Sequence, residues 1–284
     1  MSPLADPALG RGSPDGVLDE VAACAAADPD KAAEVLRSLD PGALDAQQRT
    51  RWAGLLNRVV GERLGRWSEA QGQLHGVLEA QEVSTPGLLC EVGAAAKNAS
   101  VRADAISAAR RLSESTALPL DAAQDAIALA AVGHRLHLLG ACDAATELLS
   151  ALAPFEAVIW RDAGPLDNTI AAILQQIGWA LLERSHAELE HPILRTALAR
   201  CAALCARFSR RSGSALDQAS ASCLRSASAL VLGEPAQALR HADAGLTLLT
   251  EATSLPAAEE RERLLQQRRR ALDTQSQGDD ASGG

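Results

Sequence analysis

Alanine and leucine decide what this chain can fold into. Alanine supplies about a fifth of the residues and leucine roughly a seventh, and both favour helices because neither loses much rotamer freedom there. Strands need β-branched and aromatic residues, but the aromatics are only 2% of the chain and Tyr is absent. An all-α fold follows. Sandwiches, barrels and doubly wound nucleotide-binding sheets are excluded.

Charge narrows the partners. The 284 residues carry 36 acidic against 27 basic side chains, a formal charge of −9, which repels phosphate backbones, so no nucleic-acid partner is expected. The segment Met1–Pro14 has neither a basic region nor an apolar core and reads as a tail, not a signal peptide. The most apolar stretch, Ile170–Leu182, is too short to span a bilayer and holds Gln175 and Gln176 at its middle. Cysteines 24, 90, 142, 201, 205 and 223 lie in apolar runs without any CxxC. They read as reduced core residues, and the expected location is cytoplasmic.

Glycine and proline cut the chain into helices expected over 15–27, 29–39, 44–64, 67–81, 85–98, 101–115, 120–139, 142–153, 166–186, 191–209, 214–232, 235–252 and 256–273. Asp28 before Pro29 is a helix start, and Asp121, Asp167 and Ser214 are further cap candidates. The expected organisation is a disordered tail over 1–14, one helical domain over 15–273 and a polar, disordered tail over 274–284.

Three windows repeat a pattern: Leu64-Gly65 with Ala70, Leu139-Gly140 with Ala145, and Leu232-Gly233 with Ala238. Each ends one helix at Leu-Gly and places Ala five residues past the Gly, inside the next helix. Gly permits the reversal, and the small Ala lets the second helix approach the first. The pattern resembles the turn between the two helices of a tetratricopeptide repeat, most clearly at Gly65, Trp67 and Ala70. The copies stand 75 and 93 residues apart, so the units are irregular. The resemblance implies an α-solenoid of about six antiparallel helix hairpins and a closing helix, wound as a right-handed superhelix. A compact helical bundle is the alternative packing.

HExxH, GxSxG, GxxxxGK[ST] and GxGxxG are all absent, so neither catalysis nor a cofactor is expected. By the repeat register, Trp52, Glu62, His134 and His137 fall on the inner face of first helices. Gln175 and Trp179 share one face, which lines the groove where their helix is the first of its pair; the alternative is that Trp179 fills space between hairpins. These six form the expected groove for a peptide or helix of another protein. His134 and His137, three residues apart, are also the pair a metal or small-molecule pocket would use. Cys201 and Cys205, one turn apart in an Ala/Leu run, read as core. The basic run Arg261–Arg270 is interleaved with Glu259, Glu260 and Glu262 and reads as a solvated closing helix. With only Lys31 and Lys97 in the chain, a groove built from paired Lys and Asn does not fit.

Overall fold

The computed structural model describes residues 13–80, 84–162 and 164–282, so the expected tail over 1–14 lies almost wholly outside the described residues. The chain is 82% helical, and no strand occurs among the described residues. Packing divides it into two compact units, one ending at His134 and the other beginning at Arg135, within the span expected as one domain. No helix among the described residues is long and apolar enough to cross a membrane.

The first unit contains α1 (Pro14–Cys24), α2 (Pro29–Ser38), α3 (Ala46–Leu56), α4 (Trp67–Ala80), α5 (Pro86–Asn98), α6 (Arg102–Thr116) and α7 (Leu120–Gly133). Small polar residues start several of them. Asp28 accepts from the Lys31 amide with Pro29 in the first turn, Asp45 and Gln48 form a reciprocal capping box, and Thr85 accepts from the Leu88 amide. Each satisfies an amide the helix cannot. Asp121 lies inside the first turn of α7 instead, after an N-cap at Pro119. The odd-numbered helices α1, α3, α5 and α7 lie side by side, each packed on the next, and α6 packs on both α5 and α7.

The second unit contains α8 (Ala141–Leu152), α9 (Asp167–Leu182), the single turn α10 (His186–Leu189), α11 (Pro192–Ser212), α12 (Ala215–Val231), α13 (Pro235–Leu248) and α14 (Leu255–Ser282). Ser214 caps α12 as expected. Asp167 is the first residue of α9, where it accepts from the Gly164 amide and pairs with Arg211. The helix α11 packs on α8, α9 and α12, while α14 closes over α12 and α13. In both units the extensive contacts join helices that lie one to three positions apart in the chain order. Stacked hairpins pack in this way, as the resemblance implies.

Gly65 and Gly233 sit between helices at φ +68° and +78°, the left-handed region that glycine enters without a Cβ penalty. Gly140 also lies between helices but has φ −61° and serves as the N-cap of α8. Ala70, Ala145 and Ala238 are all fully buried.

The helices differ from expectation at three ends. The stretch expected to finish the third helix is a π-helix, Asn57–Arg63, whose wider turn is a frequent companion of buried polar groups. The helix expected to reach 139 stops at Gly133, and Leu136–Leu138 form a 3₁₀ turn. The polar stretch after Thr274 continues α14 to Ser282, helical although residues 272–277 are exposed.

A Cβ added at Gly61 falls 2.4 Å from the Trp67 ring, whereas one at Gly72, inside α4, meets nothing within 4 Å. Gly61→Ala is therefore expected to destabilise by about 2 kcal/mol. Gly72→Ala is expected to stabilise by about 0.5–1 kcal/mol through helix propensity. Urea midpoints of the two variants check both signs.

Candidate functional site

The first unit holds a buried polar cluster built by three elements. Glu91 on α5 is a single carboxylate in the apolar run Leu88–Ala96. Asn57, fully buried at the head of the π-helix, donates from Nδ2 to the Glu91 backbone carbonyl at 2.9 Å and to its Oε2 at 2.7 Å. His134, the C-cap of α7, is 3% exposed and sets Nε2 2.8 Å from the same Oε2. Its Nδ1 faces Glu62 Oε2 at 3.8 Å, and the Trp67 ring stands edge-on to the imidazole at a 6.2 Å centroid separation.

Electrostatics follow from this enclosure. Burial opposes charge on both partners, but the Glu91 carboxylate and the contact to Glu62 outweigh it at His134, whose pKa is pushed up to about 9. At Glu91 burial is likewise outweighed, by the charge and hydrogen bond of His134 and by Asn57, so its carboxyl is held below the usual range. The result is an imidazolium–carboxylate pair locked by geometry.

The register thus brings Glu62 and His134 together, 72 residues apart in sequence, but inside the unit and not on an open groove. Trp52 is also corrected: it is 2% exposed, and its Nε1–H donates to the Leu36 carbonyl at 3.1 Å. Neither Trp52 nor His134 is accessible to a partner. His137 is exposed in the 3₁₀ turn beyond the end of α7, so the two histidines share no helix face. Among the described residues no group of three His, Cys, Asp or Glu is placed to hold a metal. Glu91 and Asn57 are the members missed in the sequence. A lone carboxylate inside an apolar helix is the signal, since such a charge needs a partner once buried.

In the second unit, α9 buries Ile170, Leu174, Ile177 and Leu181. Its opposite face presents Asn168, Gln175, Gln176, Trp179 and Glu183. Trp179 is half-buried, its ring packed against the cluster of Ala219, Cys223, Leu249, Ala257 and Leu264. Gln175, one turn earlier, is half-exposed.

Cys201 and Cys205 are fully buried, with Sγ atoms directed at the Leu174 and Ala171 carbonyls. Burial raises both thiols, that of Cys205 to about 12. Cys142 departs from the expected core role: it is exposed in the first turn of α8, with Sγ 3.1 Å from His191 Nε2. The Gly140 N-cap opens α8 one residue before it, which leaves the thiol at the helix end.

Among proteins of known structure, the chain is similar to a tetratricopeptide repeat protein from Parabacteroides merdae, at 12% identity and a TM-score of 0.32 over 89% of this chain and 98% of the other. No family model matches the sequence, and no curated protein matches it.

Two outcomes follow from the charges and thiols. His134 has a raised pKa, so its contribution is complete below the ordinary value of 6.5 and is lost as pH rises through about 9. Glu91 has a lowered pKa, so its contribution is complete above 4.5 and is lost as pH falls below that. The stability advantage of the native chain over a His134→Gln/Glu91→Gln variant should peak between pH 4.5 and 6.5 and shrink on both sides. Glu91→Gln alone should cost about 3 kcal/mol near neutrality, read from denaturant midpoints across pH. In thiol labelling followed by peptide mapping, Cys142 should react first, and Cys201 and Cys205 only on unfolding.

Proposed function

We propose that the chain is a non-catalytic scaffold of tetratricopeptide-like hairpins that holds an extended or helical segment of another protein. The observation that carries this reading is the polar face of α9, where the half-buried Trp179 stands on a packed apolar cluster beside the partly buried Gln175 and Gln176. An indole held from behind offers contact area without a further ordering cost, and such residues dominate binding energies. The adjacent amides supply both donors and acceptors to a partner backbone. His137 is proposed as a polar contact within its own unit, and Glu62, held against His134 inside the first unit, is not. Trp52 and His134 serve the fold. Six unpaired thiols suit a reducing compartment, and the cytoplasm is the proposed location.

The test compares proteins retained from native extract by the full chain and by two variants, followed by affinity measurement on the partner identified. Trp179→Ala should weaken that partner by roughly thirtyfold and lower stability by about 2 kcal/mol, because half of the ring is packed. Among the described residues Gln175 makes no side-chain hydrogen bond, so Gln175→Arg should weaken binding with a nearly unchanged melting temperature. A partner indifferent to both substitutions docks elsewhere and overturns the α9 reading.

A further inference from the structure

A cleft of about 380 Å³ opens in the first unit between α5, the turn into α6, and α7. Its floor is apolar: Ala96, Ala109 and Ile127 are buried there, and Ile106 forms a half-buried wall. Its rim is cationic and polar, carrying Lys97, Arg102, Ser100 and Gln124, and no carboxylate lines it. Lys97 is one of only two lysines in a chain of net charge −9. Among the described residues neither Lys97 nor Arg102 makes an ion pair or a side-chain hydrogen bond. Asp125 on α7 feels the Lys97 charge without lining the cleft. The N-cap of α6 is Val101, which has no side-chain acceptor, so the positive end of that helix adds to the same corner.

Two exposed cations held in no ion pair, beside an apolar cleft, match one kind of ligand. We propose that this cleft binds a small amphiphilic anion, a free carboxylate on an apolar body of roughly six to ten carbons. The carboxylate sits between the Lys97 ammonium and the Arg102 guanidinium, where charge-assisted hydrogen bonds are available. The apolar body covers the partly buried Ala105 and Ile106, removing their remaining surface from water. This site is separate from the α9 face and asks nothing of a protein partner.

Calorimetric titration of the full chain with octanoate, octanol and acetate tests the assignment, alongside methyl NMR of the isoleucines. Octanoate should bind at least about tenfold more tightly than either control and should shift the methyl signals of Ile106 and Ile127. The Lys97→Gln/Arg102→Gln variant should reduce octanoate to the affinity of octanol. Both residues are exposed, so its melting temperature should match that of the native chain. Octanol binding as well as octanoate means an apolar crevice only, and acetate binding as well means a charged spot only. Either result overturns the proposal, as do undiminished octanoate binding by the double variant, methyl shifts confined to other isoleucines, and no binding at millimolar octanoate.

Discussion

Small side chains are the constraint on which the structure depends. Where alanine is the commonest residue, each helix offers little apolar area, and burial is achieved by bringing backbones close together. Glycine marks the closest approaches. Gly93 on α5 receives Ile127 of α7, Gly178 on α9 receives Leu224 of α12, and Gly245 on α13 receives Leu264 of α14; a Cβ at any of them would fall within 3 Å of the branched side chain. Each pairing joins a helix to a later one in the chain, so the same device in both units fixes how neighbouring helices seat on each other. Bulk is concentrated instead of spread. Phe155, Trp160 and Phe208 meet at centroid separations of 4.9–6.1 Å, with the guanidinium groups of Arg207 and Arg211 both over the Phe208 ring. There the aromatic faces hold the irregular 153–160 segment, whose Phe155 and Trp160 carbonyls accept from those two arginines.

A close-packed interior makes the His134–Glu91 pair expensive. Removing both ions from water costs several kcal/mol each, and mutual attraction repays this only when the remaining polar atoms are also satisfied. Asn57, binding both the backbone and the side chain of Glu91, supplies part of that satisfaction, while its own Oδ1 and His134 Nδ1 have no hydrogen-bond partner among the described residues. The pair therefore contributes little to net stability and a good deal to specificity: only one placement of the α7 terminus sets an imidazole between Glu91 and Glu62. Any slip of α7 against α5 would strand a charge, an error far larger than the loss of an alanine contact.

The helices, their short connections and the three Leu-Gly reversals were legible because they rest on local signals, namely propensity, caps and small residues at fixed spacing. The groove assignments at Trp52 and His134 were not, for a reason visible in the same segments. Register arguments carry a face forward only while the helix keeps its α period. Asn57–Arg63 change to a π period and α7 ends at Gly133, so the faces rotate just where these residues were placed. On α9, which keeps its period to Leu182, Gln175 and Trp179 emerge on one face. Cys142 misled because the apolar run around it belongs to α8 as a whole, whereas its first turn is open; composition over a window does not resolve a helix end.

Charge separates the two proposed binding surfaces. At physiological ionic strength a field decays over about 8 Å, so a ligand senses the side chains beside it more than the net −9 of the chain. The charged groups that line the cleft are Lys97 and Arg102, with Asp125 behind Lys97, and an anion seated there is drawn against the global sign. Along α9 Asn168 and the Glu183 carboxylate are exposed, while Gln175, Gln176 and the Trp179 indole are partly buried beside them, so the local and global signs agree. A segment suited to that face carries an apolar side chain for the indole and a neutral or basic flank for Glu183. An acidic segment would meet repulsion at long range and find no counter-charge on arrival. Association on α9 should therefore be steered by charge, whereas entry to the cleft depends on a small ligand approaching within a Debye length of its rim.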